Sequence, residues 1–84
     1  MRSRHRRTLE AIFHRPTRGG IAFSEIESLV VALGGAVREG SGSRVVFEIN
    51  DSRRYLHRPH PGKEAKKYQV DEVREWFTEL EIRP

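Results

Sequence analysis

Apolar residues recur along this chain with two different periods, and the change of period divides it into helices and strands. Leu9, Ile12 and Phe13 stand at i, i+3 and i+4, the spacing that lines one side of an α-helix. Ser3 is placed to cap that helix. Pro16 ends it, because the residue before a proline is pushed out of helical geometry. Arg18-Gly19-Gly20 reads as a loop. Ile26, Leu29, Val30 and Leu33 then repeat the helical spacing, and Ser24 followed three residues on by Glu27 has the form of a capping box. Phe23, just before that cap, is expected to fold back on the first turn, and Gly34-Gly35 to stop the helix.

Beyond residue 35 the period drops to two. Ala36 to Glu39 reads as a short strand, Gly40-Ser41-Gly42 as a turn, and Ser43 to Ile49 as a second strand. In that strand Val45, Phe47 and Ile49 face one side and Arg44, Val46 and Glu48 the other. Asn50-Asp51-Ser52 makes a hairpin turn, and Arg53 to His57 a third strand that Pro59 brings to an end. A final helix is expected from about Tyr68 or Gln69, burying Val70, Val73, Phe77 and Leu80, with Trp76 beside them and Asp71 and Glu72 in its first turn. The order is helix, helix, three-stranded antiparallel meander, helix. Helices held on one face of such a sheet make an α+β sandwich.

The register of the second hairpin decides where His57 points. A two-residue turn at Asp51-Ser52 sets Phe47 opposite Leu56 and Val46 opposite His57. It buries Leu56 and leaves His57 on the face of Arg44. A turn longer by one residue would send His57 inward. The first is preferred, since burying a leucine gains more than burying an imidazole.

Composition narrows the class. Eighty-four residues are expected to make one domain. Lys and Arg number 16 against 12 Asp and Glu, a formal charge of +4, which favours a polyanionic partner, nucleic acid before a membrane surface. There is no cysteine, which excludes disulfides, thiolate zinc sites and cysteine nucleophiles. No apolar run approaches transmembrane length. The basic stretch Met1 to Arg7 lacks the apolar segment of a secretion signal, so the chain reads as cytoplasmic and without a membrane partner. Arg2 to Arg7 is expected to be a frayed basic arm adding non-specific attraction.

The stretch from Leu56 to Lys67 is the most informative. His57, Arg58, His60, Lys63, Lys66 and Lys67 crowd into a proline-stiffened exit from a strand. Such a loop offers cations to phosphate at low ordering cost, and its imidazoles can exchange protons near neutrality. Arg38 and Arg44 lie on neighbouring strands. Tyr55, a strand aromatic beside arginines, is either a stacking surface for a base or a rim residue covering the sheet edge. Trp76 and Phe77 belong to the core rather than to a stacking platform. His57-x-x-His60 lacks a third ligand, so no metal and no cofactor are expected. Gly40-Ser41-Gly42 is too short for a phosphate loop and leads into a strand.

These residues resemble a known family. A capped helix and short strand, Gly42-Ser43-Arg44 opening a second strand, a hairpin, then Pro59-His60 and Gly62-Lys63-Glu64-Ala65-Lys66-Lys67 before a last helix are similar to the HicA toxins of bacterial toxin–antitoxin pairs. The likeness runs from about residue 23 to the C-terminus. It makes residues 23–84 the family-like core of a single domain of residues 1–84, with residues 1–18 a basic helical addition. It implies a double-stranded-RNA-binding-like fold, cleavage of mRNA, and a HicB-like antitoxin covering the active face. The family motif is Gly-Ser-His, with a histidine that acts in RNA cleavage, and this chain carries Arg44 in that place. Arginine stays protonated, so it can hold phosphate but cannot serve as a general base.

Three functions follow as expectations. The first is a metal-independent endoribonuclease, in which His57 or His60 moves the proton and Arg44 and Lys63 hold phosphate. The wider RNA contact set is Arg38, Arg44, Tyr55, Arg58, Lys63, Lys66 and Lys67. The second is an RNA-binding module on the same surface without turnover. The third is an interaction domain whose basic face meets an acidic protein.

Overall fold

The computed structural model describes every residue, Met1–Pro84. Its elements are α1 (Ser3–Phe13), α2 (Phe23–Ala32), β1 (Ala36–Glu39), β2 (Arg44–Ile49), β3 (Ser52–His57) and α3 (Lys67–Glu79). The strands form an antiparallel sheet in the order β1-β2-β3. The architecture is α+β, as the pattern predicts. No helix is long and apolar enough to cross a membrane.

Alternation along β2 puts Val45, Phe47 and Ile49 in the core and leaves Arg44 exposed. Phe47 is the centre of the apolar layer. Its ring lies 5.7 Å from that of Phe23 and 6.3 Å from that of Trp76. Val70, Val73, Trp76 and Phe77 bring the inner face of α3 onto the sheet, all nearly inaccessible to water. The Trp76 indole donates to Ser52 Oγ at 2.7 Å, so burial leaves its N–H satisfied.

Gly34 and Gly35 end α2 as expected. Gly34 takes the left-handed conformation at φ 87°, with Gly35 N–H donating to Val30 O (2.9 Å) and Gly34 N–H to Val31 O (3.0 Å), the doubly bonded stop that favours glycine. A side chain at Gly35 would meet the Glu48 carbonyl at 2.4 Å, so the approach of α2 to β2 needs glycine there too.

Four expectations are corrected. Asn50 (φ 49°) and Asp51 (φ 66°) form the hairpin turn, and Ile49 pairs with Ser52, because Asn and Asp tolerate the positive φ values that a tight hairpin needs. Leu56 therefore faces Val45, and His57 faces Arg44. The shift relative to the expected register is two residues, which preserves faces: Leu56 stays buried and His57 exposed. Second, α2 begins at Phe23 after Ala22 with no side-chain cap; Glu27 turns to Arg58 instead. Third, Ser3 is the first residue of α1 rather than its cap. Fourth, residues 2–7 are not a frayed arm. His5, Thr8, Leu9 and Ile12 are buried, and the last two belong to the same apolar cluster as Phe47 and Phe77.

A buried arginine fastens α1 in place. Arg74, in α3, is 7% exposed. It donates to Ile12 O at the end of α1 (2.8 Å), to Thr17 Oγ1 (3.0 Å) and to Asp71 (3.1 Å). The charge is paired and its donors are spent on an otherwise open helix terminus, the condition under which a buried guanidinium is tolerated. Thr17 also donates to Asp71, and that bond, followed by Arg74, holds the Asp71 carboxyl below the usual range.

Candidate functional site

Arg38, Arg44, Val46, Glu48, Arg53, Tyr55 and His57 share the face of the sheet turned away from the helices, by the register of the two strand pairs. The face presents three guanidiniums to one carboxylate. Glu48 pairs with Arg38 (3.2 Å) and Arg53 (2.9 Å). Hydrogen bonds from Arg38, then Arg53, lower its pKa. Tyr55 stands opposite Val46 and is 63% exposed.

Arg44 has no acidic partner. It is the first residue of β2, directly across the ladder from His57, the last residue of β3. Opposed side chains on antiparallel strands start roughly 4.5–5.5 Å apart, so one anion can touch both. The stem of Arg44 runs over Gly40: a side chain there would sit 3.3 Å from its Cβ, Cγ and Cδ. Gly40 N–H donates to Arg44 O (2.9 Å) and Arg44 N–H to Ser41 O (3.2 Å). The turn thus fixes the arginine's backbone from both sides.

Ser43 completes the corner. Its Oγ lies 3.2 Å from His57 Nδ1, and its carbonyl accepts from Arg58 N–H at 2.8 Å. A hydroxyl on one ring nitrogen orients an imidazole and leaves Nε2 for another partner. An exposed, oriented imidazole beside an unpaired guanidinium can bind an anion and exchange a proton with it.

Gln69 joins this corner to the lysine loop. It is 2% exposed. Its Nε2 donates to His57 O (2.8 Å), and its Oε1 accepts from Lys66 N–H (2.9 Å), the cap position of α3. The loop is held at its other side by the segment before α2, through Phe23 N–H to Lys63 O (2.9 Å) and Ala65 N–H to Ile21 O (2.8 Å). Lys63, Lys66 and Lys67 project into solvent without an acidic partner, and His60 is exposed with no hydrogen bond to the chain. No three His, Asp or Glu side chains converge at metal-ligating distance.

The predicted residues thus separate. Arg38, Arg44, Tyr55 and His57 share the outer face, and Lys63, Lys66 and Lys67 the adjoining loop. Arg58 stands apart. Its guanidinium binds Glu27 Oε2 (2.7 Å) and Glu39 Oε1 (2.8 Å), and those bonds, Glu39 first, raise its pKa further. It ties α2 to β1, and its charge is already neutralised. Ser43 stands out in the sequence only as part of the Gly42-Ser43-Arg44 motif, with no role of its own, and Gln69 was not legible as a site residue. Gln69 stands three positions after Lys66, the capping-box spacing, but a lysine at the cap hides the pattern.

No curated protein and no solved structure matches the chain. A family model described as the HicA toxin of bacterial toxin–antitoxin systems matches residues 23–76. The match begins at the first residue of α2 and reaches Trp76 in α3, taking in the whole sheet and the lysine loop while leaving α1 outside. By that match over well more than half of its length, the chain belongs to the HicA toxin family.

Proposed function

We propose that this toxin is a metal-independent endoribonuclease acting on mRNA in the cytoplasm, neutralised by a HicB-like antitoxin that covers the outer face of the sheet. The observation that carries the reading is the Arg44–His57 pair with Ser43 on the far nitrogen of the ring. The family histidine is absent from β2, yet an imidazole stands one strand away, across the ladder from the arginine that replaced it.

The roles follow from the chemistry. Arg44 holds the scissile phosphate and offsets charge developing on its oxygens. Ser43 orients His57, whose Nε2 takes the proton of the adjacent 2′-hydroxyl as that oxygen attacks phosphorus. The bond to the 5′-oxygen breaks, and that oxygen takes up a proton from His60 or from solvent. The products are a 2′,3′-cyclic phosphate and a 5′-hydroxyl. Lys63, Lys66 and Lys67 attract the backbone, Arg38 adds to the field, and Tyr55 offers a ring to an unstacked base. Arg58 takes no part, its guanidinium being committed to Glu27 and Glu39.

Purified protein and a defined RNA, with chelator throughout, test the reading. Cyclic phosphate ends are expected. One specific observation favours a second reading: Arg44 cannot exchange a proton, so the surface can bind RNA without cutting it. In that case the parent leaves bound RNA intact, and Arg44→His, which restores a proton-transfer group, begins to cleave it.

A further inference from the structure

The helix outside the family match forms a basic groove of its own. It runs between α1 and the segment leading into α2, and Arg4, Arg7, Arg18, Gly19, Gly20 and Glu25 line it. Arg4 is paired with Glu25 at 3.8 Å. Arg7 and Arg18 are exposed and have no acidic partner. Gly20 takes a left-handed conformation at φ 82°, and the N–H groups of Gly19 and Gly20 find no acceptor within the chain. Two unpaired guanidiniums and a backbone turn free of side chains therefore share one concavity, a combination suited to a phosphate oxyanion.

The groove also adjoins the lysine loop. Ala22 bridges to Glu64 in antiparallel fashion, so the groove's wall is one strand of a short ribbon whose other strand begins at Lys63. The Cε of Lys67 lies 3.6 Å from where a side chain at Gly19 would begin. Glu25, paired with Arg4 inside the groove, and Glu64, exposed on that ribbon, are the opposing charges in the neighbourhood. They are outnumbered by Arg7, Arg18, Lys63, Lys66 and Lys67.

We infer that Arg7 and Arg18 bind the phosphate backbone of the RNA beyond the lysine loop, so that α1 extends the RNA track of the family-matched core. The inference rests on the RNA reading proposed above. The track passes from the loop over Lys67 and the glycines to α1, and its contacts are to phosphate and therefore independent of base sequence. Arg74 and the buried residues of α1 hold the groove's backbone against the core, so the ordering cost of binding falls on the arginine side chains and not on the helix that carries them.

The test is the salt dependence of binding to a mixed-sequence 2′-O-methyl RNA, which cannot be cut by attack of its 2′-oxygen. The proteins are the intact chain and its Arg7→Ala/Arg18→Ala variant. Each single-strand phosphate contact contributes about 0.7 to the slope of log K against log salt, so the double variant should be flatter by about 1.4. Over a fourfold rise in salt the parent should lose roughly sevenfold more affinity than the variant. Both positions are exposed, so the melting temperature should not move. An unchanged slope, with the parent still binding RNA steeply, overturns the inference and leaves the proposed function standing. A parent with no salt-dependent RNA binding overturns both. An unchanged RNA slope combined with lost binding of a polyglutamate peptide overturns it in favour of an acidic protein at the groove.

Discussion

Gln69→Leu removes the one side chain that joins the end of β3 to the start of α3 while nearly conserving its volume. Two hydrogen bonds are lost, Nε2 to His57 O at 2.8 Å and Lys66 N–H to Oε1 at 2.9 Å. At a net worth of about 0.5–1.5 kcal/mol each, offset in part by the more apolar side chain, the loss is about 1–2.5 kcal/mol. For a chain of this size that lowers the melting temperature by roughly 5–15 °C. Gln69→Glu separates the two bonds. Its carboxylate still accepts from Lys66 N–H but cannot donate to the His57 carbonyl, and it turns an anionic oxygen towards it. That repulsion raises the folded-state pKa of the new carboxyl above its ordinary value near 4.3. The penalty is therefore full at neutral pH and is relieved as pH falls through the raised pKa, where the protonated acid donates again. Thermal melts from neutral to acidic pH, with RNA cleavage measured far below the melt, provide the readout. Cleavage should fall in both variants even where the protein is fully folded, because His57 is no longer tied to the lysine loop. A Gln69→Leu variant that melts like the parent, or a Gln69→Glu variant without acid recovery, refutes the account of this link.

Phe77 is fully buried, with its ring 5.8 Å from that of Trp76; Phe77→Ala should cost about 3–5 kcal/mol in chemical denaturation, and a variant that keeps its stability but loses RNA would move the residue from the core to the site. Replacing Lys63, Lys66 and Lys67 together by alanine should flatten the salt dependence of RNA binding by about two units, and an unchanged slope would put the RNA elsewhere. Asp71 has its pKa lowered by Thr17 first and then Arg74, so its stabilisation is present above the ordinary carboxylate range and is lost as pH falls through the lowered value. Melts of Asp71→Asn across that acidic window should show a shallower loss than the parent, and parallel curves would deny the aspartate this role.

Much of the fold was legible because its elements follow local periods. The alternation of Val45, Phe47 and Ile49 against Arg44, Val46 and Glu48 identifies both faces of β2, and the double glycine at 34–35 marks the end of α2. Arg44 and His57 could be placed on one face despite an error in register, since the error was two residues and side-chain direction repeats every two. What escaped the sequence depends on partners far along the chain. Glu27 has the spacing of a capping residue but binds Arg58, 31 residues away. Arg74 looks like a surface position of an amphipathic helix, yet it reaches Ile12 O across 62 residues. The basic character of residues 2–7 suggests a solvated arm, while His5, Thr8, Leu9 and Ile12 turn inward once α3 is there to meet them. Arg58 carries the same charge as the neighbouring lysines, and only its two carboxylate partners distinguish a structural cation from a free one.

The claim that His57 moves the proton while Arg44 holds the phosphate is tested most directly by the single-turnover cleavage rate of His57→Ala beside the parent, with chelator present throughout. The parent should cut the RNA, and the variant should be slower by about 10²–10⁴ while binding RNA and melting as the parent does. A His57→Ala variant that cuts as fast as the parent contradicts the account.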